Sequence, residues 1–90
     1  MNGYQRLAIA IEGHQKGGLT KEGIEKILPD LEKSELDVIK LRYGLDTDVP
    51  LKREEVAEQL KITTEQTKKL EASAITKLRH PSRIKIAKEQ

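Results

Sequence analysis

The segment that decides the fold is REEVAEQL-KI-TTEQTKKLEASAITKLR, residues 53–79. It predicts two helices joined by a short turn. The first helix covers residues 53–60 and has acidic residues in its first turn, where the positive end of the helix dipole favours them. Residues 61–62 form the turn. Residues 63–66 have the sequence of a capping box, so we expect the second helix to begin there and to continue to about Arg79.

The apolar positions of this segment have the spacing of a helix-turn-helix, which places apolar contacts at fixed offsets and a small residue where the helices meet. Counting Arg53 as position one, the small position five is Ala57, and positions four, eight, ten and eighteen are Val56, Leu60, Ile62 and Leu70. Two positions depart from the usual pattern, because Lys61 stands where glycine is common and Thr67 where an aliphatic residue is common. A side chain in a left-handed turn costs on the order of 1 kcal/mol. On spacing alone, a plain pair of packed helices remains the alternative.

Basic residues are concentrated in the last third of the chain. Residues 1–59 contain nine Lys and Arg against twelve Asp and Glu, a net charge of −3, whereas residues 60–90 contain eight against three, a net charge of +5. Several of these cations lie where phosphates would flank a helix in the major groove: Lys68, Lys69, Lys77, Arg79, Arg83 and Lys85. With two Tyr, no Trp and no Phe, the chain lacks the aromatic platform on which single strands stack. The pattern favours a helix-turn-helix that binds double-stranded DNA.

The sequence before this motif is also predicted to be helical. A stripe of apolar residues predicts a helix from about Gly3 to Gly13, and we expect the stripe to pack on the core rather than on a partner: Tyr4, Leu7, Ala8 and Ile11. The pair Gly17 and Gly18 would end this helix. Thr20 is a candidate N-cap for a short helix that Pro29 stops.

The next predicted helix covers residues 32–43, and Gly44 stands where a left-handed C-cap would lie. No segment alternates with a period of two. The predicted fold class is therefore all-α, a small helical bundle containing a C-terminal helix-turn-helix. Pro81 is expected to end the last helix.

Composition excludes several classes of protein. The chain has 90 residues and no Cys, and it lacks both a long apolar run and a signal peptide, so we expect one small cytoplasmic domain with no membrane association. His14 and His80 have no nearby Cys or paired acids that would build a metal site or a catalytic triad. We expect no enzymatic activity, no metal and no cofactor.

Residues 31–83 resemble region four of the sigma-70 family, the promoter-recognition subunits of bacterial RNA polymerase. The matching motifs are LRYGL at 41–45, EEVA at 54–57 and LRHPSR at 78–83. The resemblance implies a small helical domain whose recognition helix enters the major groove of the −35 promoter element. Its other face would bind the flap of the polymerase β subunit. Residues 1–30 then form an unassigned helical extension and residues 84–90 a basic tail.

The resemblance also implies which residues contact DNA. The candidates for phosphate contact are Arg42, Arg53, Thr63, Lys77 and Arg79. The candidates for base contact are Thr64, Glu65, Lys68 and Lys69.

The recognition helix departs from the family pattern Thr-Arg-Glu-Arg-(Ile/Val)-Arg-Gln-Ile-Glu. Thr64 replaces the Arg that would contact a guanine, Glu65 is retained to accept from a cytosine, and Lys69 replaces a Gln. Ser73 and Thr76 replace two further cations. One bidentate base contact contributes about 1–3 kcal/mol of discrimination. We therefore expect this helix to recognise another sequence or to bind DNA more weakly.

Two functions are compatible with these residues. The first is a DNA-binding transcription factor that works with RNA polymerase core, in a bacterial cell or encoded by a phage, and is associated with the nucleoid. The second is a region-four mimic that binds the polymerase or an anti-sigma or co-sigma protein with little sequence-specific DNA binding. With its own Met1 and N-terminal helices, the chain is expected to be a stand-alone protein rather than an excised fragment.

Overall fold

The computed structural model describes residues 2–13 and 19–88, which form helices and connecting turns without a strand. The six α-helices are α1 (Gly3–Glu12), α2 (Lys21–Ile27), α3 (Lys33–Tyr43), α4 (Arg53–Leu60), α5 (Thr64–Leu78) and α6 (Pro81–Lys88). A 3₁₀ turn, Leu28–Asp30, joins α2 to α3. The all-α prediction is confirmed. The predicted helix break at Gly17 and Gly18, and the side chain of His14, lie outside the described residues.

Helix α1 begins and ends at local signals. The backbone N–H of Gln5 donates to Asn2 Oδ1 and the N–H of Asn2 donates to Gln5 Oε1, both at 2.8 Å. Gly13 ends the helix with a φ of 81°. Leu7 and Ile11 are buried, so the apolar stripe packs on the core as predicted.

The next two helices also follow their predicted caps. The Thr20 hydroxyl accepts from the Gly23 N–H at 3.0 Å. Pro29 lies within the 3₁₀ turn that follows α2, because proline fits the first positions of a helical turn, where its missing N–H costs nothing. Helix α3 begins one residue after Glu32, and Gly44 caps it with a φ of 65°.

One hydrophobic core joins the N-terminal helices to the helix-turn-helix. It draws on α1, α2, the 3₁₀ turn, α3, α5 and α6, and its members are Leu7, Ile11, Ile24, Ile27, Leu28, Leu31, Ile39, Leu45, Ala74, Leu78 and Ala87. Val56 and Ala57 bury the inner face of α4. Helices α1 and α2, which the sequence predicted as an unassigned extension, therefore supply part of the core that α5 shares.

The expected basic tail is instead largely a helix. Pro81 ends α5 as predicted but occupies the first position of α6, which continues to Lys88. Ion pairs tie α6 to the N-terminal half of the chain: Arg83 Nε lies 2.8 Å from Asp30 Oδ2, and Lys88 Nζ lies 3.2 Å from Glu12 Oε2.

Two helix crossings depend on glycine. A Cβ added at Gly23 would lie 2.1 Å from the carbonyl oxygen of Ala87, so α2 and α6 touch backbone to backbone. A Cβ at Gly3 would lie 2.3 Å from the carbonyl oxygen of Gly44, where α1 meets the end of α3. Overlaps with backbone atoms cannot be relieved by a rotamer change, so a larger residue must move a helix.

The turn of the helix-turn-helix has the predicted geometry. Lys61 adopts a left-handed conformation with a φ of 58°, and the N–H of Ile62 donates to the carbonyl of Ala57 at 3.0 Å. Thr63 and Gln66 form the predicted capping box, each side chain accepting from the other residue's N–H at 2.9 Å.

Thr67 is fully buried at the position where an aliphatic residue is usual. Its hydroxyl donates to the carbonyl of Thr63 at 3.0 Å. Because a buried hydroxyl is tolerated when it is hydrogen-bonded, Thr67 fills an apolar position without an unpaired polar group.

We expect Gly23→Ala to lower the free energy of unfolding by about 1–3 kcal/mol, because the added methyl overlaps the backbone of α6. Urea unfolding followed by circular dichroism measures the change. Glu25→Ala, at an exposed position of the same helix, is the control and should stay within about 0.5 kcal/mol of wild type. Equal stability of the two variants would contradict the close α2–α6 contact.

Lys61→Gly should raise the free energy of unfolding by about 0.5–1 kcal/mol, because glycine relieves the strain of the left-handed turn. Thermal unfolding gives the comparison. Lys61→Ala removes the same charge but keeps a Cβ, so its free energy of unfolding should not rise in the same way. If both variants were more stable than wild type, the increase in stability would come from loss of the charge and not from relief of backbone strain.

Candidate nucleic-acid interface

The first turns of α5 present an exposed polar face. The structure brings all four predicted base-contacting residues to one groove of about 550 Å³, whose lining is Arg53, Glu54, Thr64, Glu65, Lys68, Lys69 and Ala72. The start of α4 forms its other wall. This face combines the N-terminal end of a helix with donors and acceptors long enough to reach base edges.

The polar groups of the groove are only loosely paired. Lys69 Nζ lies 3.9 Å from Glu65 Oε1, and both side chains are more than three-quarters exposed. An exposed pair of this kind contributes about 0–1 kcal/mol. Both groups can therefore exchange this contact for a ligand. Three cations and two acids line the groove, so it is weakly basic.

A carboxylate on the inner side of α5 binds two of the predicted phosphate contacts. Glu71 Oε1 accepts from Arg42 Nε at 3.1 Å and from Arg53 Nε at 3.3 Å. Arg42 also donates through Nη1 to the carbonyl of Leu51 at 2.8 Å. The Arg42 side chain is 26% exposed and that of Arg53 is 43% exposed, so Arg42 belongs to the interior of this cluster and Arg53 to its rim.

Tyr43 completes the cluster, because its hydroxyl donates to Glu71 Oε2 at 3.2 Å. Burial, followed by the negative charge of Glu71 and this hydrogen bond, raises the pKa of Tyr43 to about 12. The phenol therefore stays protonated at neutral pH and acts as a donor. Glu71 thus joins α3, α4 and α5 through one carboxylate.

A second buried carboxylate binds another predicted phosphate contact. Lys77 Nζ donates to Glu35 Oε1 at 2.8 Å, and the Ser73 hydroxyl donates to Glu35 Oε2 at 2.6 Å. Burial alone would raise the pKa of Glu35, but hydrogen bonds from Lys77, Ser73 and the Glu32 N–H outweigh it and lower the pKa. The hydrogen bond between Lys77 and Glu35 in turn raises the pKa of Lys77.

The phosphate candidates consequently lie in different surroundings. Arg42 and Lys77 bind carboxylates of their own domain, and the Thr63 hydroxyl accepts from a backbone N–H in the capping box. Arg53 lines the groove, and Arg79 is exposed at the end of α5.

The sequence reasoning missed Glu35 and Glu71. A signal for Glu71 was available, because Thr67, Glu71, Ala74 and Leu78 recur at the spacing of one helix face and all four are buried.

Two further features are absent from the described part of the chain. Residues 2–13 and 19–88 contain no group of three or more His, Cys, Asp or Glu that could hold a metal ion. Within the same residues, no helix is long and apolar enough to cross a membrane.

Comparison with known proteins bears on residues 27–80, which match the family model of sigma-70, region 4. The chain is 42% identical over 71 residues to the RNA polymerase sigma factors SigA of Nostoc sp., Microcystis aeruginosa and Bacillus sp.. These alignments cover 79% of this chain but only 17–19% of the relatives. The chain therefore spans less than a fifth of the length of the curated relatives it matches, and the resemblance inferred from its motifs is confirmed.

The Glu35–Lys77 contact predicts an acid-sensitive contribution to stability. Because the pKa of Glu35 is lowered in the folded chain, its contribution is present above the ordinary value of 4.5 and is lost as the pH falls through the folded-state value. Wild type should be more stable than Glu35→Gln near pH 7, and the difference should narrow below about pH 4.5. Urea unfolding at several pH values measures this.

Glu58→Gln, at an exposed position of α4, is the matched control for loss of one negative charge. A difference between wild type and Glu35→Gln that stayed constant down to pH 3 would contradict the assignment of the lowered pKa to Glu35.

Proposed function

The chain belongs to the sigma-70 region 4 family, and from this membership we propose that it binds double-stranded DNA through α5 and acts with bacterial RNA polymerase at promoters. The observation that carries the proposal is the gathering of Thr64, Glu65, Lys68 and Lys69 on one exposed groove at the start of α5. An α-helix presented in this way fits the major groove of B-form DNA.

The proposed base contacts follow from the hydrogen-bonding groups of these side chains. Glu65 is an acceptor and suits the N4 amino group of cytosine, whereas Lys68 and Lys69 are donors and suit guanine or a phosphate oxygen. Thr64 has a short side chain whose methyl group suits the methyl of thymine. The element recognised is of the −35 type, with a change of preference at the base that Thr64 faces.

Phosphate contacts are proposed to flank this groove. Arg53 lies at its rim and Arg79 is exposed beyond it. Thr63 lies at the helix N-terminus, where the dipole and free N–H groups favour a phosphate. Arg42 and Lys77 would contribute only by leaving their internal carboxylates, which makes them weaker candidates.

The proposed protein partner is RNA polymerase core, at the flap of its β subunit. The relatives matched by this chain are RNA polymerase sigma factors, and the matched region is part of a much longer protein in each of them. The polymerase would hold the domain next to promoter DNA, and an anti-sigma or co-sigma protein would compete for it or complement it.

A second candidate function is a polymerase-binding mimic with little DNA affinity. The observation that favours it is the number of cations already bound within the domain, since Arg42 and Arg53 share Glu71 while Lys77 binds Glu35. Ser73 is an uncharged hydroxyl that is also directed at Glu35. Such a protein would bind the polymerase without promoter DNA.

Selection of random duplexes, with and without core polymerase, tests the proposal. We expect an enriched sequence whose binding weakens steeply as salt rises, because phosphate contacts release counterions. Glu65→Ala should change the preferred base at one position, and Lys68→Ala should weaken binding by roughly tenfold. Lys26→Ala, in α2, is the control of equal charge change and should leave binding unaltered.

The two candidate functions give different results in this experiment. Polymerase binding with no enriched duplex would favour the mimic. An absence of both interactions would contradict both candidates.

A further inference from the structure

Glu71 is a largely buried carboxylate of α5 whose partner Arg53 lines the groove. Its side chain is only 10% exposed, and it binds the Nε atoms of two arginines, one from α3 and one from α4. Arg42 also donates a second hydrogen bond, from Nη1 to the carbonyl of Leu51. Arg53 is fixed only at Nε, and within the described residues its two terminal amino groups have no hydrogen-bond partner. One end of this guanidinium is thus bound and the other is available.

The available end of Arg53 belongs to the proposed DNA surface. Arg53 lines the groove together with Glu65, Lys68 and Lys69. It also borders a second groove, which Lys68 lines as well and whose wall includes Tyr43, Glu71 and Ile75. The guanidinium therefore lies between the cluster around Glu71 and the face of α5.

We propose that Glu71 is a positioning residue that holds Arg53 in place for one DNA phosphate at the edge of the groove. This inference rests on the proposed function. A free arginine loses rotamer freedom when it binds a phosphate, whereas an arginine already held at Nε loses less. A phosphate contact of fixed geometry sets the register of α5 in the major groove, and the register decides which bases Glu65 and its neighbours face.

The same carboxylate limits binding to unrelated sequences. Its negative charge offsets one of the two guanidinium charges that it binds, and sequence-independent affinity follows the number of phosphates neutralised. Loss of Glu71 would therefore have two opposite effects. Binding to any duplex would rise because one more positive charge is exposed, and discrimination would fall because Arg53 is no longer held.

Glu71→Gln provides the test, since glutamine has the same shape without the charge. The probes are the duplex enriched in the selection above and a scrambled duplex of equal length and composition. We expect the ratio of the two affinities to fall about tenfold, the scrambled duplex to bind more tightly, and the slope of log affinity against log salt to steepen by about one. A purely structural role would instead weaken binding to both duplexes together, without a steeper slope.

A double-mutant cycle with Arg53→Gln isolates the pair. Arg53→Gln alone should also reduce the ratio of the affinities for the enriched and scrambled duplexes. Adding Glu71→Gln to it should reduce this ratio no further. A second loss of similar size in the double variant would overturn the proposal. Circular dichroism of each variant reports whether it is folded.

Arg53→Lys keeps the test decisive if Glu71→Gln does not fold. Lysine preserves the charge at this half-exposed position but lacks the guanidinium, which offers Nε to Glu71 and its terminal amino groups to a phosphate at the same time. The ratio should fall about tenfold while the salt slope stays unchanged. An unchanged ratio would overturn the proposal.

The wild type separates this inference from the function on which it rests. A wild-type chain that discriminates between the two duplexes, beside variants that discriminate equally well, refutes the role of Glu71 alone. A wild-type chain that does not discriminate, with or without polymerase, refutes both.

Discussion

The seam between α3 and α5 is the constraint on which the rest of the molecule depends. Two carboxylates cross it in opposite directions: Glu35 of α3 binds Lys77 near the end of α5, and Glu71 of α5 binds Arg42 near the end of α3. A buried carboxylate that loses its partner is strongly destabilising, so any sliding of one helix along the other is costly. Apolar packing is less directional, and a core of aliphatic side chains would define this register less sharply.

Helices α1 and α6 lie wholly outside the family match, but they pack on the same hydrophobic core as α3 and α5. Residues 27–80 match the family model, yet Leu7, Ile11 and Ala87 lie in the same core as Leu78. Small chains bury a limited fraction of their surface, so each added helix has a large effect on stability. Backbone contact at Gly3 and Gly23 lets these helices approach closely enough to share that core.

Local features were predictable from the sequence and long-range pairings were not. The caps at Thr20, Gly44 and Thr63 and the limits of α4 lie where the sequence placed them, because capping depends on residues within one turn. Helix α6 was expected as a tail, because it packs against residues that are distant in the sequence, among them Gly23, about sixty residues earlier in the chain. The four base-contacting candidates share a groove because they belong to adjacent turns of one helix.

The partners of the phosphate candidates depend instead on how separate helices meet. A charged residue in a sequence looks equally available whether or not a carboxylate from another helix binds it. Arg42 and Lys77 are bound in this way, and Arg53 is bound at one end. With these three cations bound internally, the domain would neutralise fewer phosphates than its sequence suggests, and sequence-independent binding would be correspondingly weaker. A weak DNA-binding domain still occupies its site when a larger assembly holds it nearby, because tethering provides an effective concentration in the millimolar range. Within the proposed function, the internal ion pairs therefore make the polymerase a further source of affinity, while the groove determines which sequence is bound.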